Sequence, residues 1–181
     1  MAAEYGGRFY LLTLAAPGGR TPGATLLAET GPVPAPRGGA QYLLRLSLAT
    51  GAPGSQSAIH AHPGAEANYV LAGDFAARTD AGTTRVPVGR VIVGPPAGGA
   101  HQAVNLGTTE VQVLVFYAVD TAQPFSSPVA FANPDRAAQL LPFLSVVSLP
   151  RTGGGLFIGM PMALGTVFAL SAGLFLRRRA R

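Results

Sequence analysis

The chain has 181 residues, of which 48% are hydrophobic and only 12% are charged. It is too apolar for a disordered chain and too mixed for a polytopic membrane protein, and its length suits one domain with appended segments. Four of the 13 basic residues lie in the last five positions, and the remaining nine against eight acids leave a net charge of +1. No basic face remains to hold a phosphate backbone, so no nucleic-acid partner is expected. The absence of Cys excludes disulfides and thiolate metal sites.

Residues 8–16 form a short apolar run after a charged start, and two interpretations of it are open. One is a secretory signal peptide, although the run is near the lower length limit, Glu4 precedes it and no A-x-A cleavage site follows. The favoured interpretation is a first β-strand. Residues 17–40 hold Gly and Pro clusters around a further strand at residues 24–30. Residues 1–39 are therefore predicted to be an N-terminal extension with the first strands.

Residues 40–122 alternate regularly between apolar runs and turns. Clusters of Gly, Pro and Asn separate runs of strand length at residues 42–49, 67–76, 86–93 and 111–119. Neither a sustained helical period nor an internal repeat is visible. Closing such strands into a barrel removes exposed edges and buries one face. The pattern predicts an all-β barrel.

The histidines of the chain all lie within this segment. His60 and His62 are two residues apart, which places both imidazoles on the same side of a strand. Glu66 begins the next strand after a Pro-Gly turn, and His101 follows a second Gly/Pro turn, so the four side chains can meet. Three neutral imidazoles and one carboxylate suit a divalent first-row metal such as Fe, Mn, Ni, Cu or Zn.

Two sequence motifs contain these residues. The first run is Gly54-x5-His60-x-His62-x3-Glu66-x6-Gly73, and the second is Gly89-x6-Pro96-x-Gly98-x2-His101-x3-Asn105. In this order and spacing they resemble the two motifs of the cupin superfamily, with one extra residue between Gly89 and Pro96. The resemblance implies a small single-domain cupin, a double-stranded β-helix (jelly-roll) barrel with the metal inside it. It also implies that the metal ligands are His60, His62, Glu66 and His101.

The strand parity that starts at Glu66 predicts the lining of a pocket. Asn68, Val70 and Ala72 should face the metal and form a small, mostly apolar wall. The motif glycines are predicted to serve turns that need a positive φ or close backbone approach. No second acid, Lys or Ser-His pair stands out as a catalytic partner, so the catalytic residues are unknown.

Two functions of different class fit these features, and fold alone does not decide between them. One is a metal-dependent enzyme, a dioxygenase-type oxidoreductase or an isomerase of a small molecule, in which an open coordination position binds O2 or substrate. The other is a non-catalytic surface module that binds a metal or a small ligand.

Residues 123–155 are predicted to be a linker with a short helix. Asn133, Pro134 and Asp135 form a typical helix start, which places a helix at residues 136–141. The sequence L-P-R-T-G follows at residues 149–153, and an apolar span and an Arg cluster come after it. This order resembles a bacterial sortase cell-wall sorting signal, which implies cleavage between Thr152 and Gly153. The alternative is a chance pentapeptide beside an ordinary membrane anchor.

Residues 156–176 carry no charged side chain, and a helix of that length spans about 30 Å, the thickness of a bilayer core. A transmembrane helix is therefore predicted. The basic tail, residues 177–181, is expected in the cytoplasm by the positive-inside rule, with the barrel outside and joined to the membrane or cell wall. The expected partners are a small molecule, the membrane and a sortase, and a homodimer is left open.

Overall fold

A computed structural model of the protein describes residues 2–15, 19, 21–33, 41–143 and 166–173. Within these residues the chain is almost entirely β-structure, with one helix of four residues, α1 (Pro134–Ala137). The strands are β1 Ala2–Tyr5, β2 Arg8–Ala15, β3 Thr25–Val33, β4 Tyr42–Gly51, β5 His60–Ala61, β6 Gly64–Ala72, β7 Phe75–Thr79, β8 Gly82–Val86, β9 Val91–Val93, β10 His101–Asn105, β11 Val111–Asp120, β12 Ser127–Pro128, β13 Leu140–Leu141 and β14 Thr166–Gly173.

The strands form three sheets. A six-stranded sheet has the order β12-β5-β10-β7-β8-β13, and a four-stranded sheet has the order β4-β11-β6-β9. A third sheet, β1-β2-β14-β3, is built from the N-terminal strands and β14. All pairings are antiparallel except that of β13 with β8. The mainly β architecture that the sequence predicts is confirmed.

The core explains why β6 and β11 are apolar along nearly their whole length. One cluster of buried side chains packs inside the barrel and consists of Val70, Phe75, Val86, Val111, Val113 and Val115. A second cluster covers the opposite face and consists of Tyr10, Leu12, Val33, Ala65, Ala67, Tyr69, Leu114, Phe116 and Ala118. The N-terminal strands therefore cover the outer face of β6 and β11, and both faces of these strands are buried.

Two of the predicted strands are each divided in the structure. The run at residues 67–76 contains the end of β6 and the start of β7, separated at Gly73, which has φ +81°. A Cβ at this position would lie 2.5 Å from the carbonyl oxygen of Glu110, so only glycine fits there. The run at residues 86–93 divides between β8 and β9, where the Pro87 carbonyl accepts the N–H of Arg90 in a turn. Hydrophobic runs alone do not reveal such tight turns.

The predicted helix start is confirmed, whereas the extent of the helix is not. Asn133 caps α1, and its side-chain oxygen accepts a hydrogen bond of 2.9 Å from the N–H of Arg136. The helix ends at Ala137, and Leu140–Leu141 continues as β13 beside β8. The prediction of a helix over residues 136–141 was therefore wrong, because sheet pairing captures its last two residues.

The described part of the C-terminal apolar segment is a strand. Thr166–Gly173 forms β14 and pairs with both β2 and β3, although a helix was predicted over residues 156–176. An uncharged apolar run fits a buried strand or a helix, and the sequence pattern alone does not distinguish them. No helix within the described residues has the length and apolarity needed to cross a bilayer. The rest of that segment and the predicted cleavage site at Thr152 and Gly153 lie outside the described residues.

Candidate metal centre

The structure brings the four predicted ligands together. His60 on β5 and His101 on β10 are direct cross-strand partners in the six-stranded sheet. Glu66 lies on β6 of the facing sheet, and His62 lies between the two sheets, just after β5. One ligand atom from each residue lies within 4.8 Å of all the others. Three of the four side chains are buried, and that of His60 is half-buried.

A backbone carbonyl fixes the orientation of each imidazole ring. Nδ1 of His60 lies 2.8 Å from the carbonyl oxygen of Ala58, and Nδ1 of His62 lies 2.5 Å from that of Phe125. Nδ1 of His101 lies 3.1 Å from the carbonyl oxygen of Gly99. A carbonyl only accepts, so Nδ1 carries the proton in each ring. In a neutral ring the lone pair is then on Nε2, and this tautomer can bind a metal through Nε2. The hydrogen bond from Nδ1 to the carbonyl is the outer contact that metal-bound histidines usually make.

The carboxylate of Glu66 lies at the centre of the cluster. Its Oε2 lies 2.9 Å from Nε2 of His101 and 3.2 Å from Nε2 of His62, and its Oε1 accepts a 2.7 Å hydrogen bond from the amide of Asn68. Burial favours the neutral acid, but the hydrogen bond from His101 and the weaker one from Asn68 act against it, and the pKa of Glu66 is well below its ordinary value. The site therefore holds a buried negative charge.

The imidazoles respond to this charge in different ways. Burial opposes protonation of His101, but the hydrogen bond and the charge of Glu66 outweigh it and raise the pKa of His101. Burial is the largest influence on His60 and lowers its pKa. A cluster of one carboxylate with imidazoles of opposite pKa shift is typical of a functional site.

The site fits a divalent cation. Nε2 of His62 is buried and has no hydrogen-bond partner among the described residues. The proton of a neutral His62 ring is on Nδ1, so the lone pair of Nε2 and the Oε2 of Glu66 are two acceptors that face each other. A cation between them would satisfy both, because buried polar atoms otherwise lose the hydrogen bonds they make in water.

Sequence reasoning missed two aromatic residues at the outer side of the site. The ring of Phe125 lies 4.8 Å from that of His62 and 4.9 Å from that of Tyr117, and Tyr117 lies 5.0 Å from His62. The guanidinium of Arg45 lies 5.2 Å over the Phe125 ring. Burial, followed by the charge of Glu66, raises the pKa of Tyr117, which keeps its hydroxyl protonated. Tyr117 and Phe125 lie outside the two motifs, so the motifs do not indicate that these residues contact the site.

A cavity of about 420 Å³ adjoins the candidate ligands. Of the residues predicted to line it, Asn68 does, whereas Val70 lies in the core and neither Val70 nor Ala72 is part of the lining. The register of β6 against β11 shifts between Val70 and Ala72, so that Ala72 pairs with the outward-facing Gln112. This bulge breaks the strict alternation on which the pocket prediction depended.

The fold and the site together define a cupin-like β-barrel with a three-histidine, one-glutamate cluster. Residues 47–117 match the family model described as a cupin domain, and all four cluster residues lie within that match. This match supports the cupin superfamily for this part of the chain. No curated protein matches the chain.

Solved structures with a similar fold cover about half of the chain. The DMSP lyase DddQ from Ruegeria pomeroyi DSS-3 is 18% identical with a TM-score of 0.41, over 50% of this chain and 45% of that chain. Oxalate decarboxylase from Bacillus subtilis is 23% identical with a TM-score of 0.41, over 48% of this chain and 24% of that chain. A cupin superfamily protein from Desulfitobacterium hafniense DCB-2 is 17% identical with a TM-score of 0.39, over 48% and 83%. The aligned part spans less than half the length of the lyase.

Proposed function

We propose that the cupin domain binds one divalent first-row transition metal and acts on a small molecule, as an oxygenase or an isomerase. The ligands in this proposal are His60, His62, Glu66 and His101. The observation that carries the proposal is the orientation of the imidazoles, each held at Nδ1 by a backbone carbonyl, beside a carboxylate and a cavity. Nε2 of each neutral ring is then a ligand atom that needs no change of tautomer.

Some residues of the site would hold the metal, and others would contact the bound molecule. A bound metal would supply a Lewis acid, and with Fe, Mn or Cu also redox chemistry. His60, Glu66 and His101 line the cavity, so a small molecule in it would lie directly against three of the candidate ligands. Tyr117 also lines the cavity, and its protonated hydroxyl can donate a hydrogen bond to a bound molecule.

Metal analysis of the full chain tests the proposal. The wild type is expected to contain about one metal per chain, and the His62→Ala and Glu66→Gln variants are expected to lose most of it, because each removes a ligand atom. Glu110→Gln is the matched control, since it makes the same change at an exposed carboxylate. Full occupancy in both site variants would contradict the ligand assignment.

The identity of the metal that co-purifies tests the oxygenase function. Fe, Mn or Cu would favour the oxygenase, whereas Zn would weaken it. The non-catalytic binding module remains the second candidate. The observation that favours it is that Tyr117 is the only ionisable residue lining the cavity besides the proposed ligands, as far as the structure describes the chain. Few groups are therefore available for acid–base catalysis.

We further propose that the chain is anchored at a bacterial cell surface by its C-terminal segment. The supporting observation is the order of L-P-R-T-G at residues 149–153, an apolar span and an Arg cluster. The span includes β14, so anchoring requires this strand to leave its sheet with β2 and β3. A purified sortase is expected to cleave between Thr152 and Gly153, and Thr152→Ala should prevent this. A simple membrane anchor would instead leave wild type and variant equally intact and equally extractable by detergent.

A further inference from the structure

The cavity beside the candidate metal centre has a composition that indicates its ligand. We propose that it binds a small uncharged molecule with an apolar body about one ring in size and a hydroxyl or carbonyl group at the end that faces His60 and Glu66. This inference rests on the proposed function, because the polar end would lie against the proposed metal ligands. A volume of about 420 Å³ is near the lower end of the roughly 300–1,000 Å³ of small-molecule pockets.

The inner wall of the cavity is apolar and rigidly packed. Phe75, Val113 and Val115 are each buried and belong to the interior core cluster, and Ala103 packs against the same cluster. Exposed lining residues, Ala49, Thr50, Ala52 and Gln56, form the outer end of the cavity. Three of these are small, so a molecule of one ring can enter between them and place its apolar body against the valines.

Charge on the body of a ligand would find no partner in this wall. The polar lining residues other than the candidate ligands and Tyr117 are neutral amides and hydroxyls, and the lining contains no Arg. The chain has no Lys at all. Arg45 lies opposite Tyr117 on β4, but its Nε donates to Ser47, its guanidinium lies over the ring of Phe125, and it is not part of the lining.

An unpaired charge in an apolar wall costs more free energy than the neutral ligand of the same shape. An anionic body would lie among apolar side chains, because the lining contains no Arg and the chain contains no Lys. A cationic body would lie among valines and a phenylalanine, away from any carboxylate other than Glu66 at the polar end. The wall therefore selects a neutral body, whereas the polar end fixes the orientation.

Three probes with the same head group test this selection. They are 4-ethylbenzyl alcohol, 4-(hydroxymethyl)benzoate and 4-(aminomethyl)benzyl alcohol, which share the ring and the head group and carry far-end substituents of similar size that are neutral, anionic and cationic. Their dissociation constants are measured by NMR titration of the full chain, both zinc-loaded and treated with EDTA. The neutral probe is expected to bind at least about tenfold more tightly than either charged probe. Equal or tighter binding of a charged probe would overturn the proposed ligand class.

Variants locate the binding in the cavity. Ala103→Phe fills the space beside the valines and should weaken binding of the neutral probe by at least about tenfold, with Ala103→Leu as the smaller change in case the first does not fold. Val88→Phe is the matched control, since Val88 is 56% exposed and lies outside the lining. Unchanged binding in a folded Ala103 variant would place the ligand elsewhere and overturn the inference.

Metal content measured on the same samples separates this inference from the proposed function. Normal zinc content without binding of any probe would refute the ligand site and leave the metal site intact. Failure to bind zinc, with selective binding of the neutral probe retained, would refute the proposed function and support the cavity as a neutral-ligand site.

Discussion

Metal binding is predicted to release a proton from His101. In the metal-free protein both nitrogens of His101 face oxygen acceptors, Nδ1 at 3.1 Å from Gly99 and Nε2 at 2.9 Å from Glu66. A doubly protonated ring satisfies both contacts, in agreement with the raised pKa of His101. A metal ligand has to be deprotonated at the atom that binds, so binding at Nε2 displaces this proton.

The expected number follows from the other ligands. The pKa of His60 is lowered chiefly by burial, so near neutral pH this ring is neutral and contributes no proton. The hydrogen bonds to Glu66 outweigh its burial and lower its pKa, so the carboxylate is already ionised. Below its raised pKa, His101 therefore contributes about one proton to the release. The number falls towards zero as the pH rises through the raised pKa of His101, and below that pKa the metal affinity rises about tenfold per pH unit.

Calorimetric titration with Zn²⁺ in two buffers of different ionisation enthalpy measures the released protons. At zinc concentrations high enough to overcome its weaker binding, the Glu66→Gln variant should release fewer protons per zinc bound, because His101 loses the charge that raises its pKa and the carboxylate that accepts from Nε2. Glu110→Gln should behave like the wild type, since that carboxylate is exposed and remote from the cluster. Zinc binding by the wild type without proton release at pH 6.5, or equal release by the Glu66→Gln variant, would refute this reasoning.

Three further predictions concern residues around the site. Gly73→Ala should lower the free energy of unfolding by at least about 2 kcal/mol in denaturant titrations, because φ is positive there and the new Cβ would lie 2.5 Å from the carbonyl oxygen of Glu110. Gly89→Ala should lower it by about half as much, because Gly89 has φ +76° but open space around it. Phe125→Ala should weaken zinc affinity by up to about tenfold while the far-UV circular dichroism stays unchanged, because it removes the ring that packs on His62 and keeps the backbone carbonyl that accepts from Nδ1; unchanged affinity would contradict this role of the ring. In the unfolded chain the pKa of Glu66 is about 4.3, and in the folded, metal-free protein it is lower. The ionised Glu66 therefore stabilises the fold at pH values above about 4.3. The free energy of unfolding should therefore fall as the pH drops below that value, and fall less in the Glu66→Gln variant.

The ligand cluster was predictable because its residues are close in sequence and the turns between them are marked by Gly and Pro. His101 was expected to meet His60 and His62 from beyond a second Gly/Pro turn, and it is the direct register partner of His60. The motif glycines were expected to need positive φ, and all four have it: Gly54, Gly73, Gly89 and Gly98. Short sequence motifs determine features of this kind, so the cluster and its turns can be predicted without knowing the complete fold.

Long-range packing was less accessible. Tyr117 and Phe125 contact His62 from segments more than 50 residues further along the chain, and ordinary apolar patterning gives no reason to single them out. The bulge beside Leu71 reverses the facing of Ala72, which strict alternation assigns to the pocket. Asn105 is the buried last residue of β10, and its amide donates to three backbone carbonyls. Such features depend on which strands become neighbours.

The placement of the candidate ligands on two different sheets would give a bound metal a mechanical role. His60 and His101 belong to the six-stranded sheet, whereas Glu66 belongs to the facing four-stranded sheet. A cation bound by all of them would be a cross-link between the two layers, which could then separate only after releasing it. At a free metal concentration of a hundred times the dissociation constant, the folded state would gain about 2.7 kcal/mol. Amide protons of β6 and β10 would then exchange with solvent at rates that depend on the metal supply, so that the rigidity of the barrel reports the metal content of its surroundings.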